Sequence, residues 1–241
     1  MKTSFGFGSQ LTQLGKKLLF VYGTIYVLEL IFEHWLKIPV VSVLKLSPLG
    51  SGSFHFWEIF THPFIHNPYS PLSFLISCIV FYFFAAPVED AFGPKRFLTL
   101  FYASALGGAL CGLAFSGVSG FNVPFLGMMP SLLSLIVIFG LLRPEATILL
   151  MFILPVKAKY LSYGTIIITA LTFLAKANPH GAYHLGGILF GYVYFRNPRN
   201  VFDFKLMYLT FSAWRLKRKR SGFTVIDGYK EKKDKDTPTY H

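Results

Sequence analysis

Charge is what this chain has least of: Asp, Glu, Lys and Arg make up only 14% of its 241 residues, against 53% hydrophobic. A water-soluble domain covers more of its surface with charge, so this balance excludes an ordinary soluble globule and makes the bilayer the solvent. Acidic groups are the scarcer sign, 11 against 23 basic. A transporter or channel reading needs buried charges along a pathway, and Glu29 and Glu33 are the only acidic residues within or at the end of an apolar run. Cysteine is nearly absent: Cys78 and Cys111 both fall inside apolar runs and not in loops, and they say nothing about disulfide chemistry. Glu58, His62 and His66 recur at four-residue spacing, but Pro63 and Pro68 oppose a helix there. With no HExxH motif and no nearby cysteine, neither a metal nor any other cofactor is expected. Those loop histidines read instead as interfacial anchors in the headgroup zone. There is no tandem repeat, low-complexity tract or second domain.

Six apolar runs are present, at about 18–36, 71–87, 95–115, 127–143, 160–175 and 180–196, read against the ~20 residues needed to cross a bilayer. Several are short, which predicts buried helices or a thinned membrane. Glu29 and Glu33 interrupt the end of the first run and no small-residue cleavage site follows, so it reads as a retained span, not a signal peptide. Lys16 and Lys17, Lys95 and Arg96, Arg143, Lys157 and Lys159, and Arg196 and Arg199 flank alternate ends of the runs. The positive-inside rule makes those ends, and both termini, cytoplasmic.

The expected organisation is therefore a cytoplasmic segment at 1–17, an all-α six-helix membrane domain at 18–200, a basic membrane-surface segment at 201–220 and a polar mobile tail at 221–241. The net charge of +12 draws much on RLKRKR at 215–220. Because that cluster follows the apolar VFDFKLMYLTFSAW, anionic lipid headgroups are the expected partner, not nucleic acid, at about 1 kcal/mol per basic residue. A plain stop-transfer cluster explains the same letters.

Small residues recur every fourth position at Ser104, Gly108 and Gly112 in the third run and at Gly187 and Gly191 in the sixth. That spacing predicts a close crossing of these two helices. The sixth run also carries His184, preceded by Asn178, His180 and Tyr183. An imidazole in a membrane helix needs a polar cavity or a partner, which makes His184 a functional candidate; one bond to a neighbouring carbonyl or hydroxyl would satisfy it equally well.

Several pieces then match one family together: Trp57 with THPFIH at 61–66, PVEDAFGPKRFL at 87–98, the glycine-entered fourth run, ILLMFILPVKAKYL at 148–161 and HLGGILFGYVYFR at 184–196. Over roughly residues 15–198 the chain resembles a bacterial-type rhomboid intramembrane serine protease. The resemblance implies a six-helix bundle whose fourth helix begins GxSG, a serine activated by a histidine on the sixth helix, and an HxxxN pattern on the second helix that assists the oxyanion hole. Residue by residue, Gly127 takes the place of the first glycine, Met128 the variable position, Met129 the serine and Pro130 the closing glycine, with Pro144 fixing the register. His184 takes the histidine's place. Ser73 and Ser77 stand where the HxxxN histidine and asparagine would, unless a second register brings His66 there.

A thioether has no removable proton and cannot form the acyl-enzyme. At 100° per residue Ser131 is turned about 200° from position 129, and Ser134 about 140°. The expectation is an inactive rhomboid homologue, not an enzyme. It would bind transmembrane segments of client proteins through a lateral opening between the second and fifth helices, with Pro87 and Gly164 as flex points, as a multi-pass protein of a bacterial inner membrane. The alternative is a working serine endopeptidase using Ser131 with His184, which requires the fourth helix to begin later than the family pattern.

Overall fold

Six long helices dominate the computed structural model, which describes residues 11–121, 123–150, 154–176 and 179–196. The first ten residues, Asn178, Arg199 and the segments 201–220 and 221–241 lie outside the described residues. Thr12 opens α1 (Gln13–Leu30) by accepting the Gly15 N–H at 2.9 Å, an N-cap that satisfies one of the orphan donors of the first turn. The helix then loosens into a π-turn, Ile31–Trp35. Short pieces follow: α2 (Val40–Leu44), a 3-10 turn at Leu49–Ser51 and α3 (Glu58–Thr61).

Next come α4 (Pro71–Phe92) and α5 (Pro94–Ser119), each with proline as its first residue, where the missing N–H is no loss. Gly93, at φ +77°, reverses the chain between them in a conformation that L side chains resist. The remaining long helices are α6 (Met129–Leu142), α7 (Ala158–Lys176) and α8 (Pro179–Arg196).

The all-α expectation needs one correction. Between α6 and α7 the chain forms an antiparallel hairpin, β1 (Thr147–Leu150) and β2 (Leu154–Lys157), with Ile148 opposite Val156. The apolar run there is too short to cross a bilayer, and pairing its backbone groups across a hairpin satisfies them instead. Among the described residues three helices are long and apolar enough to span, Pro71–Phe92, Pro94–Ser119 and Ala158–Ala175, with Met129–Leu142 apolar but shorter. Neither α1, with its lysines and Glu29, nor α8, rich in Gly, Tyr and His, meets that measure on composition.

The low apolarity of α8 suits its position. A Cβ on Gly186 would lie 2.7 Å from the Gly107 carbonyl oxygen, one on Gly108 2.7 Å from the Tyr183 carbonyl oxygen, and one on Gly191 2.6 Å from Ser104 Oγ. The two helices therefore cross antiparallel with their backbones nearly touching, as the small-residue spacing predicts. The α6 helix wedges into that crossing: Pro130 fits against Gly108 and Gly187, and the Ser104 hydroxyl donates to Ser134 at 3.0 Å. On the other side Gly140 lets α6 press on Ser162 and Ala158 of α7.

These contacts fix which ends lie together. The Thr12 hydroxyl meets Glu89, setting the start of α1 beside the end of α4. Lys16, Lys17, Lys95, Arg96, Arg143, Lys157, Lys159 and Arg196 consequently gather at one end of the bundle. The α6 entrance and His184 lie toward the other end.

Candidate functional site at the entrance of α6

Three strands of packing hold the start of α6. Leu46 and Phe125 exchange backbone hydrogen bonds at 2.8 Å in both directions, pinning the chain just before it. The Gly127 N–H donates to the His62 carbonyl at 2.9 Å, and the Gly127 carbonyl accepts the Tyr183 hydroxyl at 3.0 Å. Gly127 stands at φ +90°, where a side chain would strain the backbone, and the ring of His66 lies on its open side. Loop, α6 and α8 thus meet on a single residue.

Beyond that glycine Met128 is fully buried, whereas Met129 is 40% exposed. The Ser77 hydroxyl of α4 donates to the Ser73 carbonyl at 2.9 Å and lies 4.0 Å from the Met129 sulfur. One of the two second-helix positions therefore does reach residue 129. Ser73 is exposed and pairs with the Ser70 hydroxyl at 2.7 Å, in the first turn of α4. On the opposite face of α6, Ser131 is fully buried and donates to the Phe101 carbonyl of α5 at 2.6 Å. Because α6 begins at Met129, with Pro130 in its first turn, the later start that would swing Ser131 around does not occur. The half-buried ring of His184 stacks obliquely on its neighbours, 5.7 Å from the Tyr183 ring and 6.5 Å from that of His180.

The loop histidines differ from the interfacial anchors expected of them: His62 is 0% exposed and His66 6%. Their Nδ1 atoms face carbonyl oxygens, those of Glu58 at 3.1 Å and Phe64 at 3.3 Å, and a carbonyl can only accept. A proton on Nδ1 satisfies those carbonyls and leaves Nε2 an acceptor, buried without a hydrogen-bond partner in both residues. Burial, which strips water from the charged form, pushes both imidazoles down to about 4. In this tautomer His66 offers an oxyanion no donor, although it sits beside Gly127.

The acidic groups are structural. Glu29 accepts the His66 N–H at 3.1 and 3.3 Å, Glu33 the Val41 N–H at 2.9 Å, and the buried Glu58 the Ser47 N–H at 2.6 Å. Among the described residues no group of three His, Cys, Asp or Glu converges as a metal site would require.

Sequence reasoning missed the role of His62 and His66 as walls of the site. The available signal was their place in the Trp57–THPFIH segment, directly before α4. Chemically the site offers a thioether where a nucleophile would stand, one committed hydroxyl on each side, and imidazoles that accept. A family model described as Rhomboid domain matches residues 53–196, a range that contains His62, His66, Ser77, Gly127, Met129, Ser131 and His184. No curated protein matches the chain.

Proposed function

Since this chain belongs to the rhomboid family, we propose that it is a non-cleaving member, which holds transmembrane segments of other membrane proteins without hydrolysing them. The proposal includes six spans with both termini in the cytoplasm of a bacterial inner membrane, supported by the gathering of basic residues at one end of the bundle. Contact of the 215–220 basic cluster with anionic headgroups belongs to the same reading.

The observation that carries it is the division of labour around α6. Residue 129 supplies a sulfur that has no proton to give up. The alternative nucleophile, Ser131, is buried and its hydroxyl donates to the Phe101 carbonyl. A serine hydroxyl attacks a carbonyl only when a base takes its proton within hydrogen-bonding distance, and Ser131 is bonded to a different helix.

Binding has better support than cutting. A client helix would enter between α4 and α7; the spanning window of α7 is only 17% buried, and Gly164 on it has open space around its Cα. The unwound end of that client would meet the Met129 thioether, which adapts its shape to apolar surfaces, and His184, a polar group near the wet end of the bundle.

A fluorophosphonate probe applied to the purified full-length protein tests the reading. No covalent label is expected; a label lost in both Ser131→Ala and His184→Ala would establish a working serine endopeptidase in its place.

A further inference from the structure

Away from the α6 entrance an apolar groove of about 900 Å³ runs between α5, α7 and α8. Cys111 and Phe115 form one wall, Tyr163 and Phe173 another, and Leu189 and Tyr192 the third. The steps from Tyr163 to Phe173 on α7 and from Ala182 to Tyr192 on α8 are each ten residues, or about 15 Å of helix at 1.5 Å per residue. That is half of the roughly 30 Å hydrocarbon core, the depth of a single leaflet.

The groove is also polarised. Tyr163 and Tyr192 mark the end that carries the basic residues, where aromatic rings favour the headgroup level. Just beyond, the exposed Arg196 donates from Nη1 to the Tyr192 hydroxyl at 3.1 Å, with its guanidinium 5.9 Å from that ring. Lys157 and Lys159 share the single carboxylate of Glu145 at 2.7 and 2.6 Å, whereas among the described residues no carboxylate pairs with Arg196. A hydroxyl positions that guanidinium without cancelling its charge, leaving its remaining donors for an anion.

We propose that the groove binds one acyl chain of an anionic phospholipid whose phosphate sits on Arg196. An acyl chain of one leaflet matches the length, and the anionic headgroup complements the cation at the aromatic end. This site is distinct from the α6 entrance and from the 215–220 cluster, and it depends on the chain lying in a bilayer, not on whether it cleaves.

Native mass spectrometry of the full-length protein, titrated with phosphatidylglycerol or phosphatidylcholine, tests it. One retained phosphatidylglycerol is expected, preferred about fivefold over phosphatidylcholine, the ratio that one headgroup charge contributes near a membrane surface. Arg196→Gln should abolish the preference yet keep a lipid; Ala114→Trp, which fills the groove, should lose the lipid itself. In the unaltered protein, phosphatidylglycerol should slow maleimide alkylation of Cys111 severalfold and leave Cys78, on α4 outside the groove, unaffected. A phosphatidylglycerol preference that persists undiminished in Arg196→Gln, an unprotected Cys111, or a dimer in which a second copy excludes lipid would each overturn the proposal.

Discussion

Two helices of similar apolar character, α5 and α7, are used in opposite ways. The spanning window of α5 is 61% buried and that of α7 17%. What separates them is not hydrophobicity but the size of the residues at their contacts. Along α5, Ser104, Gly107, Gly108 and Gly112 bring backbones and side chains of α6 and α8 into near contact over about two turns. Along α7 the close approaches are limited to its two ends, Ala158 and Ser162 against Gly140 of α6 and Phe173 against Gly181 of α8, while Ile167, Ile168, Leu171 and Leu174 face outward. In lipid there is no water to drive helices together, so association follows from how closely they can pack. The bundle therefore has a fixed side, on which Pro130 and Ser131 are held, and a loosely held side against which a client or lipid can lie.

The comparison breaks most easily at the catalytic position. Restoring the family motif with Met129→Ser and Pro130→Gly places a hydroxyl on the face of α6 turned toward α4, beside a second helix that supplies only Ser73 and Ser77. Cleavage of a model transmembrane substrate should stay at least about 10²- to 10³-fold below that of an intact site, the usual effect of one missing oxyanion donor. Robust proteolysis would show that the α4 register is wrong. Next in size is Gly187→Val, whose Cβ would lie 2.8 Å from the Pro130 carbonyl oxygen. Overpacking against backbone should destabilise by about 3 kcal/mol or more, read as a lower melting temperature in detergent; unchanged melting would remove the distinction between the two sides.

A smaller effect concerns acid. Burial holds His62 and His66 neutral in the folded protein down to about 4, whereas in the unfolded chain they take up protons near pH 6.5. The unfolded state therefore binds more protons between those values, and stability falls as pH drops from about 6.5 toward 4, by on the order of 1–3 kcal/mol per imidazole. Melting followed over that range should show the loss, and His62→Gln should flatten it. Smallest is Gly164→Ala on α7, where nothing lies within 4 Å of the new methyl. It should leave melting unchanged or raise stability by up to about 1 kcal/mol through helix propensity.

The helices were legible in the sequence because apolar runs and their charged flanks are local properties. The run at 71–87 extends to Phe92, since Val88 and Glu89 stay helical and buried beneath the polar surface of PVEDAF. The α5–α8 crossing was readable from the four-residue spacing of small side chains. The hairpin was not, because a short, mostly apolar stretch looks alike whether it pairs as strands or coils as a helix. The burial of His62 and His66 was hidden for another reason. It is imposed by contacts far along the chain, Gly127 on the His62 carbonyl and Glu29 on the His66 N–H, and local pattern carries no trace of them. The opposed directions of residues 129 and 131 follow from helical geometry alone: the first side chain reaches Ser77 of α4 and the second reaches Phe101 of α5.

The central claim is that an intact transmembrane segment rests against residue 129. A benzophenone amino acid placed at position 129 of the full-length protein in native membranes, with Leu171 on the outer face of α7 as the reference position, tests it most directly. The account predicts photo-crosslinks from 129 to membrane proteins of full, uncut length, mapped to their transmembrane segments and several-fold stronger than those from 171. Crosslinks to truncated fragments bearing a new terminus, or equal labelling from both positions, would contradict it.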